Sequence, residues 1–171
     1  ALTPGSTAKD LGFAWYSNTK GTPAVMVWKD GSKAGAQIVK GTATDISAEN
    51  WQGEVYAASN KVSINGFFEP DTKYVYQYTD NYSDNGDTVW SAEYTYTTHA
   101  TDTFSVILTG DPQIGASGSK SDKEANDMSV AQDAYNWNKT MQKAMEIDPD
   151  ASFLLSAGDQ INESNAGSEE K

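Results

Sequence analysis

The chain has 171 residues, with 24 acidic against 12 basic side chains and a formal charge of −12. At about 100–200 residues per domain, that length holds one large domain or two small ones. Every basic residue is a lysine, and with a pI near 4.3 and no basic stripe, nucleic-acid binding through phosphate neutralisation is disfavoured.

No apolar run approaches the ~20 residues of a membrane span, so no span is expected and the chain is long enough to bury a core. Cysteine is absent, which removes disulfides, thiolate zinc sites and thiol nucleophiles together. A chain without Cys and rich in Thr, Ser, Asn and Tyr suits a bacterial protein that is secreted or held at the cell surface. It starts at Ala1 without a charged-then-apolar leader, so any signal peptide is expected to have been removed already or never to have been included.

Composition changes near residue 100. Up to His99 lie four of the five Trp, eight of the nine Tyr and a net charge of −4, whereas the remainder carries −8. Two differently built domains, 1–99 and 100–171, are therefore expected.

In chain order, the first segment predicts seven short strands: residues 11–16, 24–29, 37–45, 53–58, 61–65, 73–79 and 89–97. Asp30-Gly31, Asn65-Gly66 and Asn85-Gly86 mark turns, with Pro23 and Pro70 between strands. Seven strands in about a hundred residues is the pattern of a β-sandwich. In 73–79, Tyr74, Tyr76 and Tyr78 share one face and Val75 and Gln77 the other. The run from Phe68 through Pro70 and Thr72 to Tyr74 resembles the approach to strand F of fibronectin type III domains, where a tyrosine hydroxyl ties the corner to upstream backbone. Trp28 would match the core tryptophan of an early strand.

Aromatic residues at strand spacing, such as Trp90, Tyr94 and Tyr96, read first as sheet packing. The acidic run from Asp80 to Asp87 fails the EF-hand pattern and reads as a solvated hairpin tip. The sequons at Asn81, Asn138 and Asn162 are expected by chance in such a composition.

In the second segment, Thr103–Thr109 is a nearly continuous β-branched run that predicts a strand buried on both faces of a parallel sheet. A Gly/Ser/Asp-rich loop follows to about Asn126. Helical periodicity then runs from Met128 to Ile147, with Val130, Ala134, Trp137 and Met141 on one face, Asp127 as candidate cap and Pro149 just beyond the end. Residues 151–157 form a second apolar run, completing a βαβ unit.

Each of those two runs closes on Gly-Asp, at Asp111 and Asp159. Ligands of open α/β sheets bind at the carboxyl ends of strands, so the two carboxylates are expected to converge. They could serve as an acid/base pair, as metal ligands or as loop caps; close carboxylates repel, and a cation relieves that repulsion. The spacing Gly110 to Gly115 is that of a phosphate loop, yet Ala116 stands where the lysine belongs and Pro112 removes a backbone N–H.

These residues together, a fibronectin-like segment followed by Ile107-Leu108-Thr109-Gly110-Asp111-Pro112-Gln113, a long helix and Phe153-Leu154-Leu155-Ser156-Ala157-Gly158-Asp159, resemble the purple acid phosphatase type of calcineurin-like metallophosphoesterase. The resemblance implies a fold class: an all-β sandwich followed by the first β-α-β unit of an α/β metallophosphoesterase domain. It implies a metal-dependent hydrolase of phosphate esters with two metal ions, Fe, Mn or Zn. Asp111, Gln113 and Asp159 would be ligands, and Asn162 would touch a metal or one of its ligands at the position where purple members carry tyrosine.

The family's later histidine motifs do not occur, and the single histidine, His99, lies in the inter-segment connection. No catalytic residue is therefore expected within this chain, and no phosphate-ester turnover by it alone. A second polypeptide from the same precursor would supply the remainder, with the polar stretch 167–171 closing on lysine as a nick would leave it. The alternative is a cell-surface binding module whose sandwich engages a glycan or protein, with an inert βαβ extension.

Overall fold

The computed structural model describes residues 1–49, 54–118 and 123–162. Gly53, residues 163 and 164 of the third sequon, and the stretch 167–171 lie outside the described residues.

In chain order the elements are β1 (Leu2–Pro4), β2 (Leu11–Ser17), β3 (Ala24–Lys29), a single 3-10 turn at Lys33–Gly35, β4 (Gln37–Lys40), β5 (Thr42–Glu49), β6 (Val55–Ile64), β7 (Lys73–Thr79), β8 (Tyr94–Thr97), β9 (Val106–Thr109), α1 (Lys123–Ile147) and β10 (Phe153–Ser156). They fall into two compact units, one built from Ala1–Ser47 and Val55–Thr103, the other from Ala48–Glu54 and Phe104–Lys171.

The first unit holds two four-stranded sheets, in the orders β1-β2-β6-β5 and β4-β3-β7-β8. Alternation along the strands decides which side chains go inward. Leu11 and Phe13 of β2 and Val62 and Ile64 of β6 meet Val25 and Val27 of β3 and Tyr74 of β7, with Phe68 closing one end. Each such side chain removed from water contributes about 1.5–3 kcal/mol, so this cluster is the main source of stability in the unit. The Tyr74 hydroxyl accepts a hydrogen bond from the Glu69 N–H at 2.8 Å, tying the start of β7 to the chain five residues upstream. Trp28 is buried beside this core, with the Lys33 ammonium 4.6 Å from its ring centre.

Several strands differ from their sequence-based bounds for identifiable reasons. The expected strand 37–45 is split at Gly41, where the chain leaves one sheet and joins the other. A Cβ at Gly41 would stand 2.0 Å from the Lys61 carbonyl oxygen and 2.6 Å from a Val62 methyl, so only glycine lets the chain cross β6 this closely. The expected strands 53–58 and 61–65 are one strand, β6, because Asn60 does not turn. It pairs across from Trp15, and its buried amide donates to the Ser17 hydroxyl at 2.8 Å. Of the expected strand 89–97, residues 89–93 are not strand, so β8 starts only at Tyr94.

The second unit requires a correction of fold class. The expected architecture was an all-β sandwich leading into the first β-α-β unit of an α/β metallophosphoesterase domain. The described chain is instead mostly β, in three sheets, with a single helix. β9 and β10 pair in parallel, Val106 opposite Phe153 through Thr109 opposite Ser156, but they form a sheet of two four-residue strands.

The layers that would bury such a sheet are not there among the described residues: Leu108 is 71% exposed and Leu155 53%, with Leu154 and Phe104 also open. On α1, Val130 is buried while Met128, Tyr135, Met145 and Ile147 are exposed. The β-branched run carries strand propensity, and propensity alone does not create the cover that a parallel sheet needs. The helix also starts ahead of Asp127, which lies inside it rather than capping it.

Candidate functional site

The two Gly-Asp loops do meet. The Gln113 N–H donates to the Asp159 carbonyl at 2.9 Å, the Ile114 N–H to the Gln160 carbonyl at 3.1 Å, and the Asn162 N–H to the Ile114 carbonyl at 3.0 Å. An isolated parallel bridge joins Ile114 to Ile161. Gln113 and Asp159 both sit in the left-handed region, at φ of 42° and 40°, a conformation that side-chain-bearing residues adopt at a cost. Asp111, Gln113 and Asp159 thus belong to one loop cluster, with Asn162 joined to it through its backbone.

Their chemistry does not fit the two-metal centre. The Gln113 carboxamide turns its nitrogen toward Asp111, donating to Oδ2 at 3.1 Å, so its oxygen does not face a cation shared with that carboxylate. Both aspartates are exposed, and no three His, Cys, Asp or Glu side chains gather at a metal-holding distance among the described residues. His99 belongs to the other unit. No hydrolytic step is derived from these residues.

The loop after β9 is organised by a residue that sequence reasoning missed. Asp133, one turn and a half into the described side chains of α1, accepts from the Gly115 N–H at 2.9 Å, from the Ser117 hydroxyl at 2.7 Å and from the Ser117 N–H at 3.4 Å. Loss of solvent pushes its carboxyl up, but the hydrogen bonds from Ser117 and Gly115 outweigh this and hold it below the ordinary aspartate range. The backbone N–H groups that a phosphate loop would present to an anion are here turned to an internal carboxylate. That is a physical reason, beyond the missing lysine, why this loop does not cradle phosphate.

The first unit carries a different feature. A cleft of about 430 Å³ lies beside the end of β7, between Thr19, Tyr78, Asp80, Asn81, Asp87 and Trp90. Its size is in the ~300–1,000 Å³ range of small-molecule sites. One wall is rigid. Tyr78 is hydrogen-bonded through its backbone to Ser91 in both directions, N–H to hydroxyl at 3.0 Å and carbonyl from N–H at 2.9 Å. Its ring stacks on Tyr94 at 6.0 Å and packs on Trp15 at 5.1 Å.

The indole N–H of Trp15 donates to Asp80 Oδ1 at 2.6 Å, fixing that carboxylate at the rim. Burial, together with neighbouring Tyr94, raises the Tyr78 phenol, so it stays a neutral hydroxyl.

On the opposite side, Trp90 packs on Tyr82 at 6.0 Å. Lys40 stands 4.7 Å from the Tyr82 ring centre and pairs with Asp84 at 3.0 Å, which holds the loop from Asp80 to Asp87 in place. The sequence placed Trp90 in one stripe with Tyr94 and Tyr96. The structure separates them: Tyr94 stacks on Tyr76 and Tyr78, Tyr96 packs against the core, and Trp90 lines the cleft. The signal was an aromatic residue on each flank of the acidic loop. A larger hollow of about 520 Å³ between Asn138 and Glu146 is lined by α1 alone, and is the groove along one helix face rather than a site.

No family model matches the chain, and no curated protein matches it. Among solved structures the chain is similar to the sensor domain of the anti-sigma factor RsgI4 of Pseudobacteroides cellulosolvens, at 17% identity and a TM-score of 0.33. That match covers 58% of this chain and 92% of the other. A likeness that low carries no functional argument. The resemblance to the purple acid phosphatases and calcineurin-like metallophosphoesterases is corrected: no family model or curated protein of that kind matches, the sensor domain is not of that kind, and no metal-holding group of His, Cys, Asp or Glu gathers among the described residues. No described helix is long and apolar enough to cross a membrane.

Proposed function

We propose that the protein is a binding module acting outside the cell or at its surface, and that the two-sheet unit carries the binding site. The observation that supports this is the cleft beside β7, in which fixed aromatic and carboxylate groups line a concave surface held by the best-packed part of the chain. Sites of this kind need side chains positioned before the ligand arrives, and the Trp15–Asp80 bond and the Tyr78–Ser91 backbone pair supply that positioning. In this reading the segment from β9 to β10 is an extension without a part in binding.

The full chain, screened on an array of cell-surface glycans and peptides, is expected to retain a specific ligand. Amide exchange of the complex is expected to show protection concentrated between residues 78 and 91. Protection confined to the loops around 110–117 and 157–162, or no specific retention, would overturn the proposal.

A further inference from the structure

The cleft lining sorts ligands by charge and shape. We infer that it takes a neutral, hydroxyl-rich ligand of the saccharide class, with Trp90 as the stacking platform and Asp80, Asp87 and Asn81 as hydrogen-bonding partners for vicinal hydroxyls. This rests on the reading of the two-sheet unit as the binding unit.

Three observations carry it. First, the lining holds two carboxylates and no lysine, so an anionic ligand meets repulsion without compensation. Second, an aromatic cage for a quaternary ammonium needs several ring faces converging, and the cleft offers one. The Tyr78 ring is already stacked on Tyr94 and packed on Trp15, whereas the Trp90 indole meets Tyr82 at a 59° tilt and not face to face, which leaves Trp90 as the better stacking platform. Third, the polar groups are of the kind that sugar hydroxyls match.

Asp87 makes no ion pair or hydrogen bond with another described residue, and Asp80 keeps one carboxylate oxygen beyond the one that Trp15 occupies. Asn81 accepts from the Thr22 N–H at 3.4 Å and keeps its amide N–H groups as donors. Acceptors and donors beside one apolar ring match a pyranose, whose faces are C–H and whose rim is hydroxyl.

The test titrates the full chain with neutral oligosaccharides (cellohexaose, xylohexaose and mannohexaose), with oligogalacturonate as the anionic probe and with choline as the cationic one. Calorimetry and tryptophan fluorescence supply the readouts. Saturable binding of a neutral oligosaccharide is expected, insensitive to salt, and weakened about tenfold by Trp90→Ala.

Asp87→Asn is the second variant. It leaves the fold-bearing contacts untouched, and is expected to weaken binding several-fold while the circular dichroism stays that of the parent. Preferential binding of oligogalacturonate or choline, or neutral binding indifferent to both variants, would overturn the saccharide inference. An anionic or cationic probe that still protects residues 78–91 would leave the binding-module reading standing, whereas protection elsewhere would remove both.

Discussion

At the scale of single residues, Asp133 shows how a side chain in a helix shapes a loop eighteen residues earlier. Its carboxylate gathers two N–H groups and a hydroxyl from Gly115 and Ser117. Because its folded pKa lies below the unfolded value of about 3.9, its contribution is fully present above that value and is lost as pH falls through the folded pKa. Amide exchange at Gly115 and Ser117 is therefore expected to be slow near neutrality and to accelerate below about pH 4. In Asp133→Asn it should be fast, and indifferent to that change of pH. A parent whose Gly115 amide exchanged equally at both pH values would contradict the assignment.

Little of this was legible beforehand. Asp133 stands in a helical run whose periodicity marks it as a solvated polar position. The residues that did advertise chemistry, Asp111, Gln113 and Asp159, were correctly placed near one another by the rule about strand ends. Their roles were not legible in the same way, because a carboxamide can present oxygen to a cation or nitrogen to a carboxylate. Side-chain geometry decides between these, and here nitrogen faces Asp111.

At the scale of elements, the same apolar composition has opposite consequences in different strands. Ile64 of β6 and Leu108 of β9 both come from β-rich apolar runs, yet Ile64 is 2% exposed and Leu108 71%. Ile64→Ala is expected to cost about 2–5 kcal/mol in a denaturant melt of the first unit, combining lost transfer energy with the cavity left behind. Leu108→Ala should stay within about 0.5 kcal/mol, since nothing packs on it strongly enough to be lost. Comparable costs for both would mean that β9 is covered after all.

Strand 73–79 was legible to the residue, since its alternating tyrosines and turn signals agree with one another. The split at Gly41 was not, because nothing local distinguishes a glycine inside a strand from one where the chain changes sheets. The cause is a close approach to Lys61, twenty residues away.

At the scale of the whole molecule, burial is divided unevenly between the two units. The first gathers side chains from two sheets around one cluster, while in the second, among the described residues, only the side chains of Val130 and Thr109 and the glycine Gly115 are buried. Local opening costs least where few apolar groups are buried. Amide exchange is accordingly expected to be slowest in β2, β3, β6 and β7 and markedly faster in β9 and β10. Equal protection across both sets would refute this division.

The placement of a binding site in the better-packed unit follows from the same distribution. A cleft keeps its shape only if the strands behind it do not yield, and β7 is both a core strand and a wall of the cleft.

From its sequence alone this protein determines a β-rich first hundred residues, a helix ending before Pro149, and two Gly-Asp turns brought close together. Each of these rests on local periodicity, on backbone preferences of Gly and Pro, or on short-range chain connection. Tertiary structure alone decided what those features do: which apolar strands are covered, which carboxylates are already satisfied, and that Trp90 lines a cleft rather than a sheet. These outcomes depend on partners far along the chain, such as Trp15 against Asp80 and Gly41 against Lys61, and contacts across 65 or 20 residues leave no periodic trace in the sequence.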